Sequence, residues 1–277
     1  MNPDEIVRTL LEIDPGQATK TERELFLDFL SCLQRGELRA AEQRGRSWVA
    51  NTEVKKAILW GFRAGVLVDI QTPPFDHGYT DKDTLPVRIP CVKDGIRMVP
   101  GGSSIRGGSF VAPGVIVMPP SYINIGAYVD EGTLVDSHVL VGSCAQVGKR
   151  VHLSAAVQIG GVLEPIGATP VVIEDDVMVG GNCGIYEGVI VRRRAVLGTG
   201  VILNASIPVY DLVNGTILRS APGAPLEIPN GAVVVQGSRP AKGSHAEVWG
   251  VHLYTPVIVK YRDERTDAAT ALEESLR

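Results

Sequence analysis

From Ile105 onward the chain places an aliphatic residue at every sixth position, with one interruption. The first run is Ile105, Val111, Val117, Ile123, Val129, Val135, Val141, Val147, Leu153 and Ile159; the second is Ile173, Val179, Ile185, Val191, Leu197, Leu203 and Val209. Two residues before each, the side chain is usually small or β-branched, as at Ser121, Ala127, Thr133, Ala145, Cys183, Val189 and Ala195. The residue after is often Asn, Asp or Gly, as at Asn124, Asp130, Asp136, Gly142, Gly148, Gly160, Gly180 and Gly198, and this is expected to tolerate a tight turn. Strands of a sandwich alternate with period two and vary in length. A fixed period of six points instead to a parallel β-helix, each hexad being one short strand and a corner. At three hexads per coil the pattern makes between five and six coils. The phase breaks over 161–172, GVLEPIGATPVV. Its Pro165 and Pro170 mark an excursion loop, and loops on rigid scaffolds commonly hold ligands.

The flanks read differently. Residues 1–72 carry helical spacing: Phe26, Phe29, Leu30 and Leu33 suit one helix, and Val54, Ala57, Ile58 and Phe62 another. Thr21 and Glu24 fit a capping box at the start of the first. Five prolines between 73 and 100 predict a linker with short strands. After a proline-rich turn region beginning near 211, strand-like runs fall at Ala232–Val235 and Val257–Lys260, and the tail Thr266–Leu276 suits a short helix. The expected organisation is a helical domain with linker at 1–100, a β-helix at 101–212 and a small C-terminal cap at 213–277.

Composition narrows the class. Apolar residues make up 44% and charged residues 21% of the 277, a globular balance that excludes bulk disorder. Lys and Arg number 27 against 31 Asp and Glu, a net charge of −4, so no nucleic-acid partner is expected. With 31 glycines and 5% aromatics the core is thin and aliphatic. The opening MNPDEIV has neither a basic nor an apolar leader segment, and no apolar run approaches the ~18 residues of a membrane span. A cytoplasmic protein with no membrane contact is expected. Cys32, Cys91, Cys144 and Cys183 lie far apart, without a CxxC pair, and read as buried small hydrophobes rather than disulfides or a metal site.

Several blocks carry a closer likeness: Tyr122–Thr133 (YINIGAYVDEGT), Val141–Gly148 (VGSCAQVG), Val151–Ser154 (VHLS), Ile159–Pro165 (IGGVLEP), Glu187–Val191 (EGVIV) and Leu253–Lys260 (LYTPVIVK), with weaker likeness through Val54–Arg63. Together they resemble the tetrahydrodipicolinate N-succinyltransferases, hexapeptide-repeat acyltransferases of the lysine and diaminopimelate route. The resemblance implies a left-handed β-helix and a homotrimer with sites between subunits. It also implies succinyl transfer from succinyl-CoA to a small amino dicarboxylate, with no permanently bound cofactor and no metal. On the matching positions it implies Asp136 (in LVDSH) as general base and substrate contact and Arg97 (in GIRMVP) as the fork for a substrate carboxylate, with Glu187, near the position of a family glutamate, as a candidate second catalytic carboxylate. Gly198, Gly200, Arg239 and Lys242 fall where coenzyme A would lie. For Arg239, Lys242 and the run Arg192–Arg194, phosphate contact and a solvated charge run both stay open. Asp136 also reads as a hydrated turn residue like Asp130, and His152 as either a base or a packed corner histidine.

The chain departs from the family in ways that bear on the donor. A family glutamate falls on Gly184. Family glycines are Ala155, Ala156 and Gln158, and the segment 241–251 is longer than usual. The added methyls suit a smaller acyl group such as acetyl, against the succinyl implied by the whole chain. Such changes fit a paralogue in specialised metabolism of the tabtoxin type. Two other classes compete. A zinc hydratase needs histidines stacked on one face, whereas His138 and His152 take different hexad positions. The other is a non-catalytic scaffold.

Overall fold

The computed structural model describes residues 1–70 and 79–263. Helices α1 (Pro3–Glu12), α2 (Lys20–Gln34) and α3 (Thr52–Ala64) open the chain, with a hairpin Ala41–Arg44/Ser47–Ala50 between the last two. Phe26, Phe29, Leu30 and Leu33 of α2 are buried against Ile6 and Leu10 of α1 and Val54, Ala57 and Ile58 of α3, while Phe62 is partly buried. The capping box of α2 is Thr19 with Glu22, not Thr21 with Glu24. Both pairs satisfy the same spacing, and the earlier one starts the helix two residues sooner, about half a turn.

The repeat forms a three-sided parallel prism. Face 1 stacks Ser104–Arg106, Tyr122–Ile123, Leu140–Val141, Gln158–Ile159, Gly184–Ile185 and Ile202–Leu203. Face 2 stacks Phe110–Val111, Tyr128–Val129, Gln146–Val147, Val172–Ile173, Ile190–Val191 and Glu227–Ile228. Face 3 runs from Arg97–Met98 through Ile116–Val117, Leu134–Val135, His152–Leu153, Met178–Val179 and Val196–Leu197 to Val233–Val234. Every aliphatic position of the repeat from Ile105 to Leu203 is at most 3% exposed. At roughly 1.5–3 kcal/mol per buried side chain, this column carries the fold. The small residues two positions earlier also point inward. Ser121 and Thr133 use their hydroxyls to tie corners together, donating to the Asp136 and Gly148 carbonyls, and the Cys183 thiol donates to Gly198.

The corners differ from expectation in one respect. The left-handed residue is the third after the aliphatic position, as at Gly108, Gly126, Gly132, His138, Cys144, Arg150, Ala156, Asp176, Asn182, Arg194 and Gly200. The residue directly after keeps a negative φ. At Gly142 and Gly180 glycine is needed because the next coil presses on it: a Cβ on Gly142 would lie 2.2 Å from the Gly161 nitrogen, and one on Gly180 2.6 Å from the Thr199 nitrogen.

The prism draws strands from both sides of 101–212. Val209 is buried but has left it: Val209–Asp211 pairs with Thr216–Leu218 and with His252–Tyr261, and Glu227–Ile228 takes the place beside Val191. Pro208 brings no amide with which to continue the ladder. The strand-like runs at Ala232–Val235 and Val257–Lys260 belong to one antiparallel pair, Ala232–Pro240 with His252–Tyr261, whose tip carries α4 (Ser244–Trp249). The expected tail helix lies outside the described residues. Among the described residues no helix is long and apolar enough to cross a membrane. Cys32, Cys144 and Cys183 are buried as expected, but Cys91 is exposed, in a short loop helix with no core to enter.

Candidate active site

Three edges join the faces, and the chain treats each differently. Edge 1–2 lies against the helices: Ile125 and Cys144 join the helical core. The fully buried Lys55 of α3 donates its ammonium to the carbonyls of Pro165 and Ala168, fastening the excursion loop. Burial holds the Lys55 ammonium below its usual range and pushes the Cys144 thiol up to about 12, so Cys144 is not a thiolate at neutral pH.

Edge 2–3 is laced with charge pairs. Arg150 meets Asp176, Lys149 meets Glu131, Arg193 meets Asp175, and Arg192 meets both Glu174 and Glu227. The backbone amides of Glu131, Lys149 and Arg193 donate to Asp130, Asp175 and Glu174. Arg192 and Arg193 are therefore committed to acidic neighbours.

Edge 3–1 carries Asp136, Ser154, Gly180 and Gly198 at the same corner position on successive coils. With strands about 4.8 Å apart, Gly198 stands three coils, or about 14 Å, from Asp136. Asp136 is half-buried; its Oδ1 accepts from the Ser137 amide, and Oδ2 has no partner among the described residues. The amides of Ala155, Gly181 and Thr199, one residue further round each corner, donate to no acceptor among the described residues. This is a row of unspent donors running up from a carboxylate. Ala155 and Ala156 form the corner directly above Asp136, tied to it by the Ala156 amide donating to the Ser137 carbonyl. Gln158 donates to the His138 carbonyl beside them. At the top, Gln236 donates to the Thr199 carbonyl, joining this edge to the arm that carries Arg239 and Lys242. Gly200 has φ +75°, and a Cβ there would strike Gln236. Cys183 belongs to this edge but points inward, and burial raises its thiol.

The remaining expected residues are placed as follows. Arg97 is exposed on face 3, in register with Ile116 and two strands from Leu134. His152 sits on face 3 beside Leu134, and His138 at a corner of edge 3–1. Glu187 lies on edge 1–2, where its Oε2 accepts from the Ala205 amide, so one chain does not bring it to Asp136. Reading the sequence missed Tyr186. Its ring lies over Gly184 and Gly160: a Cβ on Gly184 would fall 2.5 Å from the ring and 2.7 Å from the hydroxyl. The signal was a glycine at an outward position of face 1 followed by an aromatic residue.

Comparison with known proteins bears on the fold and the family. The profile of the hexapeptide repeat of succinyl-transferase matches residues 170–205, and that of the tetrahydrodipicolinate N-succinyltransferase N-terminal region matches 6–64. Protein TabB of Pseudomonas amygdali pv. tabaci is 51% identical over 254 residues, covering 90% of this chain and 87% of that protein. The 2,3,4,5-tetrahydropyridine-2,6-dicarboxylate N-succinyltransferase of Brucella melitensis is 45% identical over 268 residues, covering 94% and 91%. A Campylobacter jejuni crystal structure described as a 2,3,4,5-tetrahydropyridine-2-carboxylate N-succinyltransferase superposes with a TM-score of 0.52 at 16% identity, over 85% of this chain and 62% of that one, and shares the fold. A left-handed parallel β-helix with helices ahead of it, matched over nine-tenths of its length by such relatives, places the chain in the tetrahydrodipicolinate N-succinyltransferase family of acyltransferases.

Proposed function

We propose that the protein transfers a succinyl group from succinyl-CoA to the amine of tetrahydrodipicolinate in its open 2-amino-6-oxopimelate form, at edge 3–1. The observation that carries this reading is the alignment of Asp136 with the free amides of Ala155, Gly181 and Thr199 on one edge. The amine nitrogen attacks the thioester carbon, the carbonyl electrons move to oxygen, and the C–S bond then breaks to release the CoA thiolate. Asp136 takes the proton from nitrogen. That proton ends on the thiol, so amide and free CoA are the products. Edge amides suit the oxyanion and the amide groups of the pantetheine arm. Arg97 would hold a substrate carboxylate through its fork. Gly198 and Gly200 would leave room for coenzyme A, with Arg239 and Lys242 near its phosphates. Half-exposed Ile116, Leu134, Met178 and Val196 on face 3 favour threefold closure into a homotrimer. In that assembly Glu187 would enter a site only from a neighbouring chain.

One observation favours a second donor. Ala155 and Ala156 put methyls one strand spacing from Asp136, which suits acetyl-CoA. Free CoA release with tetrahydrodipicolinate, measured separately with each thioester, tests both readings. A higher kcat/KM with succinyl-CoA is expected, a higher value with acetyl-CoA establishes the second reading, and no release with either donor overturns both. Sedimentation should give a trimer; a stable monomer at micromolar concentration contradicts the assembly.

A further inference from the structure

A second polar site lies on face 2, away from Asp136. Arg39, between α2 and the hairpin, holds its guanidinium carbon 3.6 Å over the Tyr128 ring and 5.6 Å from the Trp48 ring. Its Nε donates to Gln146 Oε1 at 3.0 Å. Gln146 is buried and cannot turn away, because its Nε2 is committed to the carbonyls of Cys144 and Ala145. Among the described residues, no carboxylate lies within 4.0 Å of the Arg39 guanidinium, and its terminal nitrogens have no acceptor. Burial lowers the pKa of Arg39, and Asp130, Glu42 and Asp175 oppose this only at longer range. A desolvated cation without a counter-ion is costly, and an anion placed beside it recovers part of that cost.

This guanidinium lines a cavity of about 210 Å³ with Trp48, Asp130, Glu174, Asp175 and Arg193. Two of the three carboxylates are spent. Glu174 accepts from Trp48, Arg192 and the Arg193 amide. Asp175 accepts from the Lys149 amide and the Arg193 side chain. Asp130 uses one oxygen for the Glu131 amide and keeps the other. The unspent groups are thus one cationic fork and one carboxylate oxygen. Three carboxylates against two arginines leave the wall net negative, which disfavours phosphate or a simple carboxylate. We propose that this cavity binds a free α-amino acid, its carboxylate on Arg39, its ammonium on Asp130 and its side chain against Trp48.

Calorimetric titration of the full chain with each of the twenty standard L-amino acids tests this, with acetate, methylamine and inorganic phosphate as single-charge probes. At least one amino acid should bind saturably, the three probes should not, and Asp130→Asn should weaken that binding tenfold or more. Arg39→Gln should do the same; should it fail to fold, Asp130→Asn carries the test alone. Asp136→Asn should bind as the parent does, because the site is separate from edge 3–1. Four results overturn the proposal: no binding by any of the twenty, equal binding of acetate or phosphate, full binding in Asp130→Asn, or loss of binding in Asp136→Asn.

Discussion

Edges 2–3 and 3–1 are built from the same hexads on the same prism, yet their polar groups meet opposite fates. On edge 2–3 the corner side chains are Asp, Glu, Lys and Arg. Except for one oxygen of Asp130, they largely neutralise one another, and they also take up the amides of Glu131, Lys149 and Arg193. On edge 3–1 the same positions hold Asp, Ser, Ala and Gly, so the amides of Ala155, Gly181 and Thr199 and one oxygen of Asp136 stay open to a ligand. Core and backbone are identical in kind. On edge 2–3 most donors and acceptors are consumed within the chain, whereas on edge 3–1 the open ones line up on successive coils.

That contrast predicts variants that break one property and spare the other. The largest effect is expected from Asp136→Asn, which keeps the shape and removes the basicity. Turnover in the CoA-release assay should fall by roughly 10²–10⁴-fold with the melting temperature unchanged. Near-normal turnover would remove Asp136 from the role and promote His152 or Glu187. Glu174→Gln should do the reverse. Its pair with Arg192 is largely buried, 11% and 15% exposed, so chemical denaturation should show a loss of about 1–3 kcal/mol. Its kcat should match the parent.

Smaller effects sharpen the comparison. Ala155→Gly with Ala156→Gly opens the corner above Asp136. The kcat/KM ratio of succinyl-CoA to acetyl-CoA should rise by about tenfold, within the range that one or two methyls command. Ala156 also has φ +62°. Ala156→Gly alone should therefore raise stability by up to about 1 kcal/mol, net of the entropy that glycine loses. The smallest effect concerns acid. A hydrogen bond from Arg150 holds the Asp176 carboxyl below its usual value of 3.8. The unfolded chain then binds the proton more readily, so this contribution is complete above that value and is lost as pH falls through the folded one. Asp176→Asn should be less stable by under about 1 kcal/mol at pH 7 and converge with the parent in denaturation curves taken below pH 3.

Much of this was legible in the residues. The period of six named the prism, and all the aliphatic positions through Leu203 are inside it. The contrast between edges was also present in the phase. Counting hexads by threes puts Asp136, Ser154, Gly180 and Gly198 on one edge and Asp130, Gly148, Glu174 and Arg192 on another. Without that count Asp130 and Asp136 look alike, since both follow an aliphatic position. The left-handed corner residue was obscured because Arg150 and Asp176 share its position with Gly126 and Gly132. The edge the helices cover depends on packing between distant segments, as between Ile58 and Cys144. The exposure of Cys91 and the departure of Val209 likewise follow from surroundings that no local pattern encodes.

The central claim is that edge 3–1 holds the acyl donor. Hydrogen–deuterium exchange with and without coenzyme A tests it most directly. Coenzyme A should protect peptides containing Ser154–Ala156, Gly180–Asn182 and Gly198–Gly200, and leave those containing Asp130–Glu131, Lys149–Arg150 and Glu174–Asp176 unchanged. Protection confined to the second group would contradict the account.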